Sequence, residues 1–325
     1  MQKVRLEDVA EYANVSPTTV SRVLNNRGSI SDKTRKKVND AIEELGYFPN
    51  EIARSLYGNK SNLVGVLFPN VSNPFYSEMV TELEKILSEK DYKVLLCNTH
   101  NNLEKESKYL KMLLSNQVDG IIVGSRNQPS EIYQKANLPI VAIDRFVSNE
   151  VPNVRSDNYK GACLATEYLL GKNCEKVVLF TGSPEEEIKR GDDRIRGYID
   201  TLKKQNCESF VFKVSFDEDD AFQKRKVKEY LDGHPDIDGA FATGDTLAGI
   251  LNTIACQKGQ KIEIVGYDGT DTFLNFCGNI STIRQPIKEM AQAAIDVMLD
   301  IIAGNYQEVK RREIILPVKL IEKTY

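Results

Sequence analysis

Along residues 4–24, VRLEDVAEYANVSPTTVSRVL, the apolar positions Leu6, Val9, Ala10, Ala13, Val15, Val20 and Val23 fall on two short helical stripes separated by a turn. Ala10 is small where two crossing helices must approach. Asn14 sits at the turn, and asparagine tolerates a left-handed backbone better than most residues. Ser16 offers a cap to the second helix, and Pro17 suits its first position, where no N–H is needed. Thr18, Thr19, Ser21, Arg22 and Asn25 then project polar groups. The pattern predicts a helix-turn-helix whose second helix is built to enter a major groove. A buried helical hairpin fits less well, because this second helix carries little apolar bulk outside its stripe.

Residues 32–45, DKTRKKVNDAIEEL, predict a third helix with Val38, Ala41, Ile42 and Leu45 on its apolar face and Gly46 as its stop. Lys33, Thr34, Arg35 and Lys37 near its start are within reach of phosphate, a contact that positions without specifying. The stretch 50–58, NEIARSLYG, has a cap at Asn50 and a stop at Gly58. A helix this short is unstable alone, so it is predicted to order only on DNA or against a partner copy.

Beyond the linker at 58–62 the period changes. Apolar strand-like runs at 63–68, 93–97, 120–124 and 139–144 alternate with helical patterns at 75–90 and 103–116. A second series follows, with strands at 176–182, 210–215, 239–244 and 261–268 among helices at 158–171, 194–205, 219–231 and 246–257. One more helix at 287–303 and a last strand near 313–318 close the pattern. Continuous apolar strands between amphipathic helices predict parallel sheets covered on both faces. The expected fold is therefore α/β: a helical head at 1–49, a hinge and linker at 50–62, and a two-lobed doubly wound core at 63–325. The first lobe is expected at about 63–159 plus 288–317 and the second at about 160–287 plus 318–325.

Composition narrows the class. No apolar run approaches the roughly 20 residues that span a bilayer, so no membrane partner is expected. The N-terminus shows no charged-then-apolar leader pattern, so the chain is expected to stay in the cytoplasm. The six cysteines are scattered without a C-x-x-C and read as reduced thiols, neither disulfides nor metal ligands. Net charge is −4, which alone argues against nucleic acid. Residues 1–60, however, carry ten Lys/Arg and eight Asp/Glu, so a mildly basic head sits on an acidic body. So weak an excess calls for two heads acting together.

Open α/β sheets bind ligands outside the carboxyl ends of their strands. Asn73, Phe75 and Tyr76 follow the first strand, Asp144 and Arg145 the fourth, and Arg190 and Arg194 the 176–182 strand. Phe216, Asp245, Asp268 and Gln285 follow later ones. Aromatic faces with carboxylates, arginine and amides suit a sugar, whose C–H face packs on a ring while its hydroxyls pair with polar groups. Enzyme chemistry has little support. The two histidines, His100 and His234, stand in no nucleophile motif, and there is no G-x-S-x-G, P-loop or H-E-x-x-H. Asp144, Asp245 and Asp268 as glycosidase carboxylates are the remote alternative. No cofactor is expected.

The run VSPTTVSRVLN followed by SDKTRKKVNDAIEELGYFPNEIARSL resembles the N-terminal domain of the lactose/galactose repressor family, and the likeness extends over nearly the whole chain. It implies a hinge helix at 50–58 with Leu56 wedged into the minor groove beside Ala53. It further implies DNA contacts from Leu6, Ser16, Pro17, Thr18, Thr19, Ser21, Arg22, Asn25, Thr34, Tyr47 and Asn50, with Thr18 and Arg22 as the main base readers. Pro17 departs from family members with a polar residue there, so readout at that point is by shape or apolar contact. The lobes look like the family's periplasmic sugar-binding fold, with Asn73, Phe75, Tyr76, Asp144, Arg145, Arg194, Phe216, Asp245, Asp268 and Gln285 at effector-contacting positions. NQVDGII, SDNY, IVGYDGT and RQPIKEMA are most like the sucrose-operon branch of Gram-positive bacteria, and NPFY also like the ribose-operon branch. The expected partners are a pseudo-palindromic operator, a sugar or sugar phosphate, and a second copy in a homodimer. A phosphocarrier protein as corepressor is the alternative partner. The sign of the response, induction or corepression, stays open at this point.

Overall fold

The computed structural model describes residues 4–25, 27–48, 61–115, 118–124, 133, 138–182, 192–214, 220–305 and 312–323. The chain forms two compact units, Met1–Ser61 and Asn62–Tyr325.

The first unit is a three-helix head: α1 Leu6–Tyr12, α2 Pro17–Leu24 and α3 Asp32–Glu44. Asn14 takes the expected left-handed turn at φ 53°. The Ser16 side chain accepts from Thr19 N at 3.2 Å and Ser31 accepts from Thr34 N at 3.3 Å, so α2 and α3 each start on a hydroxyl cap. Pro17 occupies the first turn of α2. Val9, Ala10, Ala13, Val20, Val23, Val38 and Ala41 make a small buried core, the stripe read from the sequence. The hinge, with Asn50, Ala53 and Leu56, lies outside the described residues.

The second unit carries two six-stranded sheets. In chain order it contains β1 Leu63–Phe68, α4 Pro74–Ser88, β2 Lys93–Asn98, α5 Leu103–Ser115, β3 Gly120–Val123, β4 Ile140–Ile143, β5 Asn153–Ser156 and α6 Asn158–Gly171. There follow β6 Val177–Thr181, α7 Asp193–Lys204, β7 Phe210–Lys213, α8 Asp220–Gly233, β8 Gly239–Ala242, α9 Asp245–Lys258, β9 Glu263–Asp268 and α10 Asp271–Phe276. The last elements are β10 Ser281–Arg284, α11 Ile287–Ile302, β11 Glu313–Leu316 and β12 Lys319–Ile321. The first sheet runs β11-β5-β4-β3-β1-β2 and the second β12-β10-β9-β8-β6-β7. All pairings are parallel except β10 with β12. Each order reverses direction at its first strand, β1 or β6, the feature that opens a crevice at the strand ends.

Two departures from the sequence pattern have physical causes. β5, NVRS, holds a single apolar residue, Val154, yet it pairs with β4 and β11 inside the first sheet. Its polar residues are buried or ion-paired instead: Arg155 reaches Glu313 at 2.6 Å and Asp193 at 3.1 Å. The last strand, expected near 313–318, is two strands. Pro317 has no N–H for a ladder and breaks the run, so β11 joins the first sheet and β12 the second. The short helix α10 was not visible as a periodic stretch.

Four apolar clusters fill the second unit. Beneath the first sheet, α4 and α11 pack Met79, Leu83, Met290 and Ile295 against Val64, Val66 and Val141. Beneath the second, α6 and α7 pack Ala165, Leu169, Tyr198 and Leu202 against Leu179, Phe241 and Val265. The opposite faces are closed by clusters around Leu110 and Leu113, and around Leu247 and Leu251. Among the described residues no helix is long and apolar enough to cross a membrane, and no His/Cys/Asp/Glu group could hold a metal ion.

Candidate functional site

In the head, α2 presents Pro17, Thr18 and Arg22 to solvent. Thr18 and Arg22 are four residues apart and therefore share a helix face. The other polar residues of α2 are used locally: Thr19 Oγ1 meets Ser16 Oγ at 2.9 Å, and Asn25 Nδ2 donates to the Ser21 carbonyl at 2.9 Å. Thr34 likewise bonds the Ser31 hydroxyl at 2.9 Å. Leu6 and Tyr47 pack against the head core. Burial, and then the Glu7 charge, raise the Tyr47 phenol above its ordinary value. The head thus divides into an exposed pair, Thr18 and Arg22, and a set of residues that hold the helices in register.

In the second unit the strand-end residues converge. Arg194, in the first turn of α7 beside the second sheet, forms an ion pair with Asp144 at the end of β4 in the first sheet, Nη2 to Oδ2 3.0 Å. Its Nε donates to Asn158 Oδ1 at 3.0 Å and its Nη1 to the Thr243 carbonyl at 2.8 Å. Asn158 Nδ2 donates to Asp144 Oδ1 at 2.8 Å, and the Tyr267 hydroxyl donates to Asn158 Oδ1 at 2.9 Å. The guanidinium lies 4.0 Å from the centre of the Tyr267 ring. Burial alone would lower the Arg194 pKa; the charges of Asp144, Tyr267, Asp268 and Asp192 outweigh it and carry the pKa up. The arginine is a fixed cation holding the two sheets' strand ends together.

A second polar group is built on β9 and β10. Gln285 Nε2 donates to Asp268 Oδ1 at 2.8 Å and its Oε1 accepts from the Ser156 hydroxyl of β5. Asp268 sits at φ 113° and Gly269 at φ 60°, so the chain makes an abrupt turn at the end of β9. Asp245 supports that turn from beneath, accepting from Gly269 N at 2.7 Å and from the Thr282 hydroxyl at 2.6 Å. Asp245 is only 2% exposed. Burial and then the Asp268 charge push its pKa well above the ordinary carboxylate range.

This raised value has a testable sign. Asp245 binds its proton more tightly in the fold than in the unfolded chain, so its contribution to stability is complete below the unfolded carboxyl pKa. That contribution is lost as pH rises through the folded pKa. Relative to Asp245→Asn, the wild-type core should therefore lose melting temperature progressively above about pH 4. Parallel thermal melts of the two proteins across pH check this, and a constant difference from acid to neutral pH would contradict it.

The remaining expected residues are placed as follows. Asn73 caps α4, its side chain accepting from Phe75 N at 2.9 Å. Phe75 and Tyr76 are buried in the first-sheet cluster, and the Tyr76 ring packs 5.1 Å from that of Phe68. Arg145 is half-buried directly after Asp144. Phe216 and Arg190 lie outside the described residues. Asn158, Thr243, Ser156 and Tyr267 were not singled out from the sequence. A single sequence shows the first three only as ordinary polar residues, and Tyr267 as one more apolar position of a strand.

Comparison with known proteins agrees with both units. Residues 5–50 match the profile of bacterial regulatory proteins of the lacI family, and residues 61–324 match that of periplasmic binding proteins and the sugar binding domain of the LacI family. The chain belongs to the LacI family. A sucrose operon repressor of Pediococcus pentosaceus is 39% identical over 98% of this chain and 98% of its own. A ribose operon repressor of Halalkalibacterium halodurans is 36% identical over 97% of this chain and 95% of its own. The crystal structure of the lac repressor dimer bound to operator and the anti-inducer ONPF superposes with a TM-score of 0.83 at 25% identity, covering 99% of this chain and 98% of that one. Like these LacI-family relatives, the chain is a DNA-binding transcriptional repressor with a sugar-binding core, and not an enzyme.

Proposed function

We propose that this LacI-family repressor binds a pseudo-palindromic operator as a cytoplasmic homodimer and controls a carbohydrate operon, of the sucrose type first and the ribose type second. The observation that carries the reading is the Asp144–Arg194–Asn158 cluster, which ties the strand ends of one sheet to those of the other. A sugar at those strand ends exchanges hydroxyls for some of these bonds and so favours one arrangement of the two sheets over another. Asp144, Arg194, Asp268 and Gln285 are the proposed hydroxyl partners, and Asp245 acts through the turn that carries Asp268. A coupling of about 1–3 kcal/mol between sugar and operator is typical of such systems, and it is reciprocal.

The test is fluorescence anisotropy of labelled operator with the full chain, with and without sucrose, fructose or ribose. A saturable shift in operator affinity supports the reading, and its direction gives the sign of regulation. A response to a phosphocarrier protein with none to any sugar replaces the sugar with a protein corepressor.

In the head, Thr18 and Arg22 are the proposed base readers. Arg22→Ala should weaken operator binding by about 1–3 kcal/mol and relax preference at a single base pair. Competition among operators substituted one pair at a time measures this. Uniform weakening across all of them would make Arg22 a phosphate contact instead.

A further inference from the structure

A sugar at the strand ends alters operator binding only if its effect reaches the chain that leads to the head, and that chain leaves the second unit at Asn62. A slack attachment passes on no orientation, whereas a fixed one does. The step taken here rests on the reading that a sugar acts at the strand ends.

Asn62 is fixed on both of its peptide groups. Its N–H donates to Asp119 Oδ2 at 2.9 Å, and its carbonyl accepts from Lys93 N at 2.8 Å. The next carbonyl, of Leu63, accepts from Asp119 N at 2.8 Å, so Asp119 holds the chain with side chain and backbone together. Asn62 takes φ 53°, a left-handed turn that sets the angle at which the chain enters β1. Asp119 is half-buried, beside the buried Tyr92, whose phenol is raised by burial and then by the Asp119 charge.

This joint lies at the opposite end of the first sheet from the polar cluster. Leu63, Lys93 and Gly120 begin the neighbouring parallel strands β1, β2 and β3, while Ser156 ends β5 and Asp144 directly follows β4. One helix touches both ends. α11 starts two residues after Gln285, and its Met290 Sδ lies 3.4 Å from the Ser156 hydroxyl. About 12 Å further along the helix, Met298 covers Gly120, the residue after Asp119. A Cβ on Gly120 would meet the Met298 Sδ at 2.6 Å. Between these points Ala291, Ala294 and Ile295 are buried in the first-sheet cluster, and packing this close transmits a displacement instead of absorbing it.

We infer that the Asn62–Asp119 joint, braced by α11, is where the sugar signal passes from the core into the linker. Asp119 is a positioning residue. It acts through Asn62, and its loss disconnects sugar binding from operator binding without removing either.

Anisotropy of labelled operator with the full chain, with and without sucrose, fructose or ribose, measures the connection. Calorimetry with the same sugars and no DNA measures binding to the core. For the sugar that acts, the two operator affinities of the wild type are expected to differ by about 5–150-fold. Asp119→Ala should bring them to within about twofold of each other, with sugar affinity also kept within about twofold. Asp119→Asn keeps an acceptor for the Asn62 N–H and should restore most of the difference. Asn62→Pro removes the same N–H from the other side and cannot take the left-handed turn, so it should reproduce the Asp119→Ala result. A wild-type difference in both Asp119→Ala and Asn62→Pro overturns the inference and leaves the sugar-sensor reading standing. Loss of sugar binding in both overturns it too, by making the joint part of the scaffold that holds the sugar. A wild-type chain whose operator binding answers to none of the three sugars removes the reading beneath the inference, and the inference with it.

Discussion

Arg194→Met is expected to destabilise the core by about 3–5 kcal/mol and to abolish its response to sugar. The side chain is 11% exposed and its partner Asp144 18%, so the pair is largely out of water. Methionine keeps most of the aliphatic volume but removes every donor. Asp144 then loses its ion pair and keeps the Asn158 amide, and Asp192 and Asp268 lose a neighbouring positive charge. The Thr243 carbonyl and the Asn158 oxygen each lose a donor as well. Breaking one partner of a buried pair costs more than the pair is worth, because an uncompensated charge is left behind. For a unit of this size each kcal/mol moves the melting temperature by about 2–4 °C, so a fall of about 6–20 °C is expected. Adding Asp144→Asn to the variant should restore a substantial part of the lost stability and none of the sugar response. Thermal melts and sugar titration of the single and double variants check both halves. Equal stability of Arg194→Met and wild type would mean that the ion pair is open in solution.

That expectation rests on contacts the sequence showed only in part. The head was legible because each of its signals is local. Asn14 at the turn, Ser16 and Pro17 at the start of α2, and the stripe of Val9, Ala10, Val20 and Val23 lie within a few residues of the partners that define them. The strands of the core were legible for a related reason. A strand covered on both faces, such as LVGVLF or GIIVG, is apolar throughout and stands out between polar helices. β5 has the opposite character. Its Ser156 and Arg155 face polar partners that are distant in sequence, Gln285, Asp193 and Glu313, so no local pattern announces it. The strand-end residues Asp144, Arg194, Asp268 and Gln285 were named because topology puts them at one edge. Their actual pairing depends on Asn158 and Thr243, whose roles exist only once the two sheets are side by side. Sequence spacing also suggested Phe75 and Tyr76 as ring faces for a ligand, while the fold buries both rings in the first-sheet core. The aromatic that meets the polar cluster is Tyr267, hidden in the sequence because it completes the apolar run of β9.

The turn that ends β9 carries the other large expected effect. Gly269→Ala should cost the core about 2–4 kcal/mol and remove sugar binding while the head still recognises operator. Gly269 holds φ 60°, which L residues adopt only with strain, and it directly follows Asp268 at φ 113°. A Cβ there would lie 2.5 Å from the Arg284 Cα and 3.0 Å from the Arg284 N. Those are backbone atoms of the neighbouring strand, which pairs Arg284 with Asp268, so no rotamer change relieves the contact. The turn must open instead. Opening draws the Gly269 N–H away from Asp245, leaving that buried carboxyl with fewer donors, and moves Asp268 off Gln285. The loss of stability is therefore coupled to the loss of the site, since the same few ångströms of chain serve both. Hydrogen exchange at the amides of 266–271, alongside sugar titration and operator binding, separates the outcomes. Faster exchange with lost sugar binding and retained operator affinity fits the turn as the holder of Asp268. Sugar affinity unchanged in a destabilised protein would show that Asp268 contributes nothing to the ligand, and that the sugar is held through Asp144 and Arg194 alone.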